Sequence, residues 1–181
     1  MGFLRCLSFM VVIGILCFPF GRMLALIEFD ASHGLFSPLP FEKDGLIYNR
    51  LNIRKWQNKV PDMSRIFPGI IPKKTFEKCC NSTQVKLLIQ ETCVAELTHW
   101  VLCVAGIAIP FIWNGIGGVI LFILYVLFGN LPFIVIQRYN RPRLCHMQKV
   151  LEKREKHFSH NTENRKDPLA SCVVSLAGEA E

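Results

Sequence analysis

The sequence predicts an all-α integral membrane protein of about three transmembrane helices: an N-terminal anchor, then a helical hairpin, with interfacial amphipathic helices beside them. Three observations lead there. Between Leu97 and Ile136 lie forty residues without one Asp, Glu, Lys or Arg. Residues 3–27 form another apolar block, broken only by Arg5 and Arg22. Hydrophobic residues make up 51% of the 181-residue chain and come in blocks. A helix crosses a bilayer with about 20 apolar residues, so the blocks can be counted as spans.

The first span is expected over about residues 6–27. A signal peptide with a weak cleavage site at Met23-Leu24-Ala25 is the rival reading, and an uncleaved anchor is preferred. One basic residue, Arg5, precedes the core of this block, whereas ten Lys and Arg fall within residues 28–96. That imbalance puts the N-terminus outside and residues 28–96 in the cytoplasm, in the cell membrane.

Residues 28–96 are polar and punctuated by Pro38, Pro40, Pro61, Pro68 and Pro72. Within them, Asp44–Val60 interleaves Leu46, Ile47, Leu51, Ile53 and Trp56 with Arg50, Arg54, Lys55 and Lys59. Such a mix suits a helix lying in the headgroup region; a basic helix packed on the rest of the protein is the alternative. Asn81-Ser82-Thr83 matches a glycosylation sequon, which a cytoplasmic loop would not present to the transferase.

Residues 97–113 form the second span, Asn114-Gly115 the turn, and residues 116–136 the third span. Pro132 lacks a backbone donor and should kink that third span beside Asn130. Asn130 is then either a helix–helix hydrogen bond or part of a site. Leu144, Met147, Val150 and Leu151 keep helical spacing after the span, along the surface. Residues 159–181 are expected to be a disordered tail, leaving residues 1–158 as one membrane domain with the C-terminus cytoplasmic.

A net charge of +7 accompanies these blocks. The basic residues flank apolar segments, so membrane lipids rather than nucleic acid are the expected partner. Eight cysteines show no CxxC pair and no Cys/His ligand spacing, and Cys6, Cys17 and Cys103 lie in apolar runs. No metal site, disulfide framework or cofactor is expected.

The groups that carry chemistry flank the hairpin. Glu96 and His99 are three apart, on one helix face. A carboxylate beside an imidazole suits a general base acting on a hydroxyl, and an ionisable pair just inside a membrane is costly enough to suggest function. The plainer reading makes Glu96 the end of a span and His99-Trp100 part of an aromatic belt. Glu91 is a second acid or a solvated charge, and Cys93 is a minor option as an acyl-carrying thiol. On the far side, Gln137, Arg138, Asn140, Arg141 and Arg143 form a dense donor cluster. Guanidinium forks grip phosphate or carboxylate at two points, so an anionic donor or headgroup is the natural ligand; a positive-inside stop needs charge alone.

The stretches Glu91–Trp100 (ETCVAELTHW) and Asn130–Leu144 (NLPFIVIQRYNRPRL), with Arg54-Lys55-Trp56 in the first loop, resemble the glycosyl-4,4'-diaponeurosporenoate acyltransferases. These are small bacterial membrane proteins of staphyloxanthin-type carotenoid synthesis. Similarity runs from about Leu46 to about His157 and is weakest over residues 61–90. The resemblance implies esterification of a sugar hydroxyl on a glycosylated carotenoid, or a related glycolipid, with a fatty acyl group from acyl carrier protein or acyl-CoA. It assigns no catalytic residues. The residues themselves supply an assignment that fits: His99 as base, Glu96 as its orienter, Glu91 nearby, and Arg138, Arg141 and Arg143 with Gln137, Asn140 and Trp100 binding the substrates. A non-catalytic membrane assembly or lipid-binding protein is the competing expectation. Three helices enclose little, so a homo-oligomer is compatible with either.

Overall fold

The computed structural model describes residues 2–40, 42, 48, 50, 52–57 and 81–177, with backbone alone at residue 54 and residues 161–177. Helix α1 is Gly2–Leu24, and a single 3-10 turn follows at Gly34–Phe36. Helix α2 is the one turn Ile53–Trp56, and α3 is Ser82–Gly106. A short α4, Ile109–Ile112, leads through a turn to α5, Ile116–Leu124. The backbone then widens into a π-helical stretch, Tyr125–Asn130, and continues as α6, Leu131–Ala177. Among the described residues there is no strand.

Among the described residues, three helical stretches are long and apolar enough to cross a membrane: Gly2–Leu24, Ser82–Ile112 and Ile116–His160. The expected anchor and hairpin are therefore present, and the hairpin's helices extend well beyond its uncharged core. Asn81 starts α3 at residue 82, rather than at 97, because its side chain accepts the N–H of Gln84 at 2.9 Å. That is N-cap geometry, and it engages the sequon's asparagine in the fold. The charges at Glu91 and Glu96 thus mark a polarity boundary inside a helix, not the helix end. Likewise α6 runs through Arg138–Arg143 and Pro142, and its helical backbone reaches Ala177.

The turn at Asn114-Gly115 falls where the sequence places it. Gly115 takes φ +108°, in the region that favours glycine. A Cβ on Gly118 would lie 2.1 Å from the carbonyl oxygen of Trp113, so the chain returns too closely for any side chain there.

Pro132 does more than kink its helix. It has no N–H for the carbonyl four residues back, and the preceding turn opens so that Leu131 N–H bonds to Val126 O, five residues back. Asn130 Nδ2 donates to the Tyr125 carbonyl at 3.2 Å, serving an acceptor within the widened turn.

Packing concentrates where α3 meets α6. One buried cluster joins Val85, Leu88 and Ile89 of α3 to Leu144 of α6, with Met147 and Leu151 alongside. A second joins Tyr48, Ile53 and Tyr139, flanked by Trp56, Val135 and Ile136. Of the amphipathic helix expected over residues 44–60, the described residues are 48, 50 and 52–57, with α2 among them; residues 44–47, 49, 51 and 58–60 lie outside them, as do Pro61, Pro68 and Pro72. Ile53 is fully buried against Tyr139, so this apolar side packs on α6 rather than into lipid. Helix α1 meets both α3 and α4: Arg22 approaches Glu91 of α3 at 3.6 Å, and Cys6 Sγ donates to Ile109 O of α4 at 3.8 Å. Leu4, Val11, Val12, Ile15 and Leu16 are exposed on it, as suits a lipid-facing helix.

Candidate active site

At the polar end of the α3–α6 pair sits a buried network of two carboxylates and two guanidiniums. Glu96 of α3 is fully buried. Its Oε1 accepts Arg138 Nε at 2.8 Å, and its Oε2 accepts an Arg141 terminal nitrogen at 2.5 Å. The Trp100 indole N–H lies 3.4 Å from Oε1. Arg138 also donates to Glu42 Oε1 and to the Leu35 carbonyl, each at 2.7 Å. Arg141 donates to Thr92 Oγ1 and Thr92 O at 3.1 Å, and to the Phe36 carbonyl at 3.0 Å. An isolated buried charge costs several kcal/mol; two of each sign with filled hydrogen-bonding capacity offset that cost.

The sequence builds this locally. Thr92 and Glu96 are four apart and share one face of α3, while Arg138 and Arg141 are three apart on the facing side of α6. Thr92 Oγ1 donates to Ile89 O at 2.7 Å, which leaves its lone pair turned toward Arg141. Glu42 is fixed from the first loop: its Oε1 accepts the Tyr48 hydroxyl at 2.6 Å and its Oε2 the Leu39 N–H at 3.0 Å. Burial works against ionising Glu42, yet Tyr48, Leu39 and Arg138 together hold its carboxyl below the ordinary value. Burial and the Glu42 acceptor push the Tyr48 phenol well up, so it remains a donor. The network thereby straps the first loop across both helices. Gln90 reinforces the strap, accepting Phe29 N–H and donating to Phe29 O, both at 2.7 Å.

His99 lies one helical turn past Glu96, toward the uncharged core. Its Nδ1 is 3.1 Å from Asn130 Oδ1, and its ring stacks on Phe133 with centroids 4.5 Å apart and planes at 11°. Asn130 is 1% exposed. The sequence expectation made Glu96 the partner that orients His99. The carboxylate is instead held by Arg138, Arg141 and Trp100, and Asn130 meets the imidazole.

The other predicted residues fall into place as follows. Arg138 and Arg141 turn toward protein acceptors, while Arg143 is exposed, with its guanidinium 3.8 Å from the Tyr139 ring centroid. Gln137 is buried and Asn140 half-buried on α6, and Trp100 is partly exposed. Glu91 is half-buried beside Arg22, away from the network. Glu42, Thr92 and Tyr48 were not among the predicted site residues, and Asn130 was left open between a helix–helix hydrogen bond and a site. Thr92 had a signal, its four-residue spacing from Glu96. Glu42 and Tyr48 had none, because an irregular loop brings them in. Among the described residues, no three His, Cys, Asp or Glu side chains come together as a metal site would require.

Fold and site together define a small all-helical membrane protein whose polar groups converge at one end of a helical hairpin. A profile of the family described as glycosyl-4,4'-diaponeurosporenoate acyltransferase matches residues 32–150. Two proteins carrying that same name, from Staphylococcus aureus strains bovine RF122 / ET3-1 and MRSA252, are each 33% identical over 133 residues, covering 71% of this chain and 78% of theirs. No solved structure matches the chain. The chain belongs to the glycosyl-4,4'-diaponeurosporenoate acyltransferase family and is an acyltransferase. The expectation of a non-catalytic assembly or lipid-binding protein is set aside on that ground.

Proposed function

We propose that the protein esterifies a sugar hydroxyl of a glycosylated carotenoid acid, or of a closely related glycolipid, with a fatty acyl group. The acyl group arrives as a thioester of acyl carrier protein or coenzyme A, and the reaction takes place at the cytoplasmic face of the cell membrane. The observation that carries this reading is the family match over residues 32–150, which spans Glu42, Glu96, His99, Asn130, Arg138 and Arg141.

His99 takes the proton from the attacking hydroxyl. The sugar oxygen then forms the ester bond to the acyl carbon as the carbon–sulfur bond breaks, and the proton passes to the departing thiolate. A positioned base of this kind contributes about 10²–10⁴-fold in rate. His99 suits the part because it lies at the junction of the charged network and the apolar core, where a polar sugar on a lipid-soluble chain would rest. Glu96 acts at one remove, by fixing Arg138 and Arg141. The exposed Arg143, with Asn140 beside it, meets the anionic end of the donor, and Trp100 lies at the acceptor's side. Ten basic residues in 28–96 support a cytoplasmic site with the N-terminus outside.

The test is expression in a host that makes the glycosylated carotenoid acid, with pigments weighed by mass spectrometry. Wild type should add a fatty-acyl mass increment, and His99→Ala at equal protein level should not. No increment with wild type overturns the acceptor assignment; an increment with both overturns the role of His99.

A further inference from the structure

We infer that Asn130 is the positioning residue of the reaction, setting the tautomer and orientation of His99 through the π-helical turn that Pro132 imposes on the third span. This rests on the reading of His99 as the base.

An Asn amide can point either end at a neighbour, and which end it presents follows from its second partner. Here Asn130 Nδ2 is committed to the Tyr125 carbonyl at 3.2 Å. Its Oδ1 is thereby turned toward His99 Nδ1, 3.1 Å away. An acceptor at that position keeps the proton on Nδ1 and the lone pair on Nε2, which is the tautomer a base needs. Phe133, three residues on and so on the same helix face, covers the flat of the ring at 4.5 Å. One helix segment thus holds the imidazole by its edge and by its face.

The π turn is what makes this possible. Pro132 offers no N–H, and Leu131 N–H reaches back five residues to Val126 O. The widened turn lets Asn130 cap Tyr125 O while its Oδ1 crosses to α3. Being 1% exposed, the Asn130 amide would be costly to keep in an apolar span without both partners.

Other ionisable groups face this site as well. On α3, Glu96 and Cys103 flank His99 at helical spacing, with Glu96 paired to Arg138 and Arg141. The opposite helix brings Tyr125, near Cys103 and near Cys17 of α1. The charged neighbour, Glu96, is paired with two guanidiniums, and the group that Asn130 presents to the imidazole is a neutral amide oxygen. Putting a carboxylate there should stabilise the imidazolium and move the acid limb of the rate profile to higher pH.

The experiment compares wild type, His99→Ala, Asn130→Ala and Asn130→Asp as purified full-length protein in micelles. Thioester turnover is followed against pH, with thermal stability measured on each sample. Asn130→Ala should lower kcat about tenfold to a hundredfold at unchanged KM, as expected for a misplaced reacting group. Asn130→Asp should shift the acid limb upward by about one pH unit. Should His99→Ala keep full turnover, the base itself is wrong, and Asn130 loses its role with it. Should His99→Ala be inactive while both Asn130 variants keep the wild-type kcat and acid limb, the inference alone falls, whatever their melting temperatures. A purely structural Asn130 would lower stability without moving the acid limb.

Discussion

Replacing Glu96 with Gln removes one negative charge from a site that balances two against two. The side chain keeps its shape, but one oxygen becomes an NH₂ facing a guanidinium N–H. Glu96 accepts from Arg138 at 2.8 Å and Arg141 at 2.5 Å and is fully buried. Breaking a buried ion pair costs about 3–5 kcal/mol, because the remaining charge is left uncompensated. Arg138 retains Glu42, so the penalty concentrates on Arg141, whose side chain is 3% exposed. The lower end, about 3 kcal/mol, is therefore expected. For a chain of this size each kcal/mol moves Tm by about 2–4 °C, giving a fall of roughly 6–12 °C. Thermal unfolding of the purified protein in detergent, read by loss of the monodisperse species, measures it. Adding Arg141→Met to Glu96→Gln should recover part of the loss, since the stranded charge goes too. A shift within about 1 °C for Glu96→Gln, or a double variant as unstable as the sum of the singles, would refute the account of the network.

Two more predictions concern the strap and the turn. Glu42 has a carboxyl held below its ordinary 4.5, so its stabilisation is complete above that value and is lost as pH falls through the lower folded-state value. The Tm of Glu42→Gln should lie below wild type at neutral pH and meet it in acid; a constant gap down to about pH 3 contradicts this. Gly118→Ala should destabilise severely, its Cβ meeting the Trp113 carbonyl at 2.1 Å, whereas Gly14→Ala meets nothing within 4 Å and should be neutral or slightly stabilising. Equal Tm for the two variants would contradict the turn's geometry.

The apolar blocks made the hairpin and anchor legible, since hydrocarbon thickness leaves few ways to accommodate forty uncharged residues. Glu96, His99, Arg138 and Arg141 stood out for a related reason: charges at the edge of such a run need partners. What periodicity could not supply was the pairing. Glu96 and His99 share a helix face, but the stronger claim on Glu96 comes from guanidiniums more than forty residues away, and spacing along one helix is blind to that. Asn130 was visible as a polar residue beside Pro132. Its orientation depends on a π turn, which hydrophobic patterning does not encode. The charges at Glu91, Glu96 and Arg138–Arg143 bound the uncharged run legibly, but hydropathy alone does not show that α3 begins at Ser82, where Asn81 caps it.

Acyl transfer by the purified protein tests the central claim most directly. Wild type and His99→Gln in micelles would each receive the glycosylated carotenoid acid with acyl carrier protein or coenzyme A thioester, at matched thermal stability, and ester formation would be timed. The account predicts ester from wild type and a rate about 10²–10⁴-fold lower from His99→Gln. Equal rates from the two proteins would contradict it.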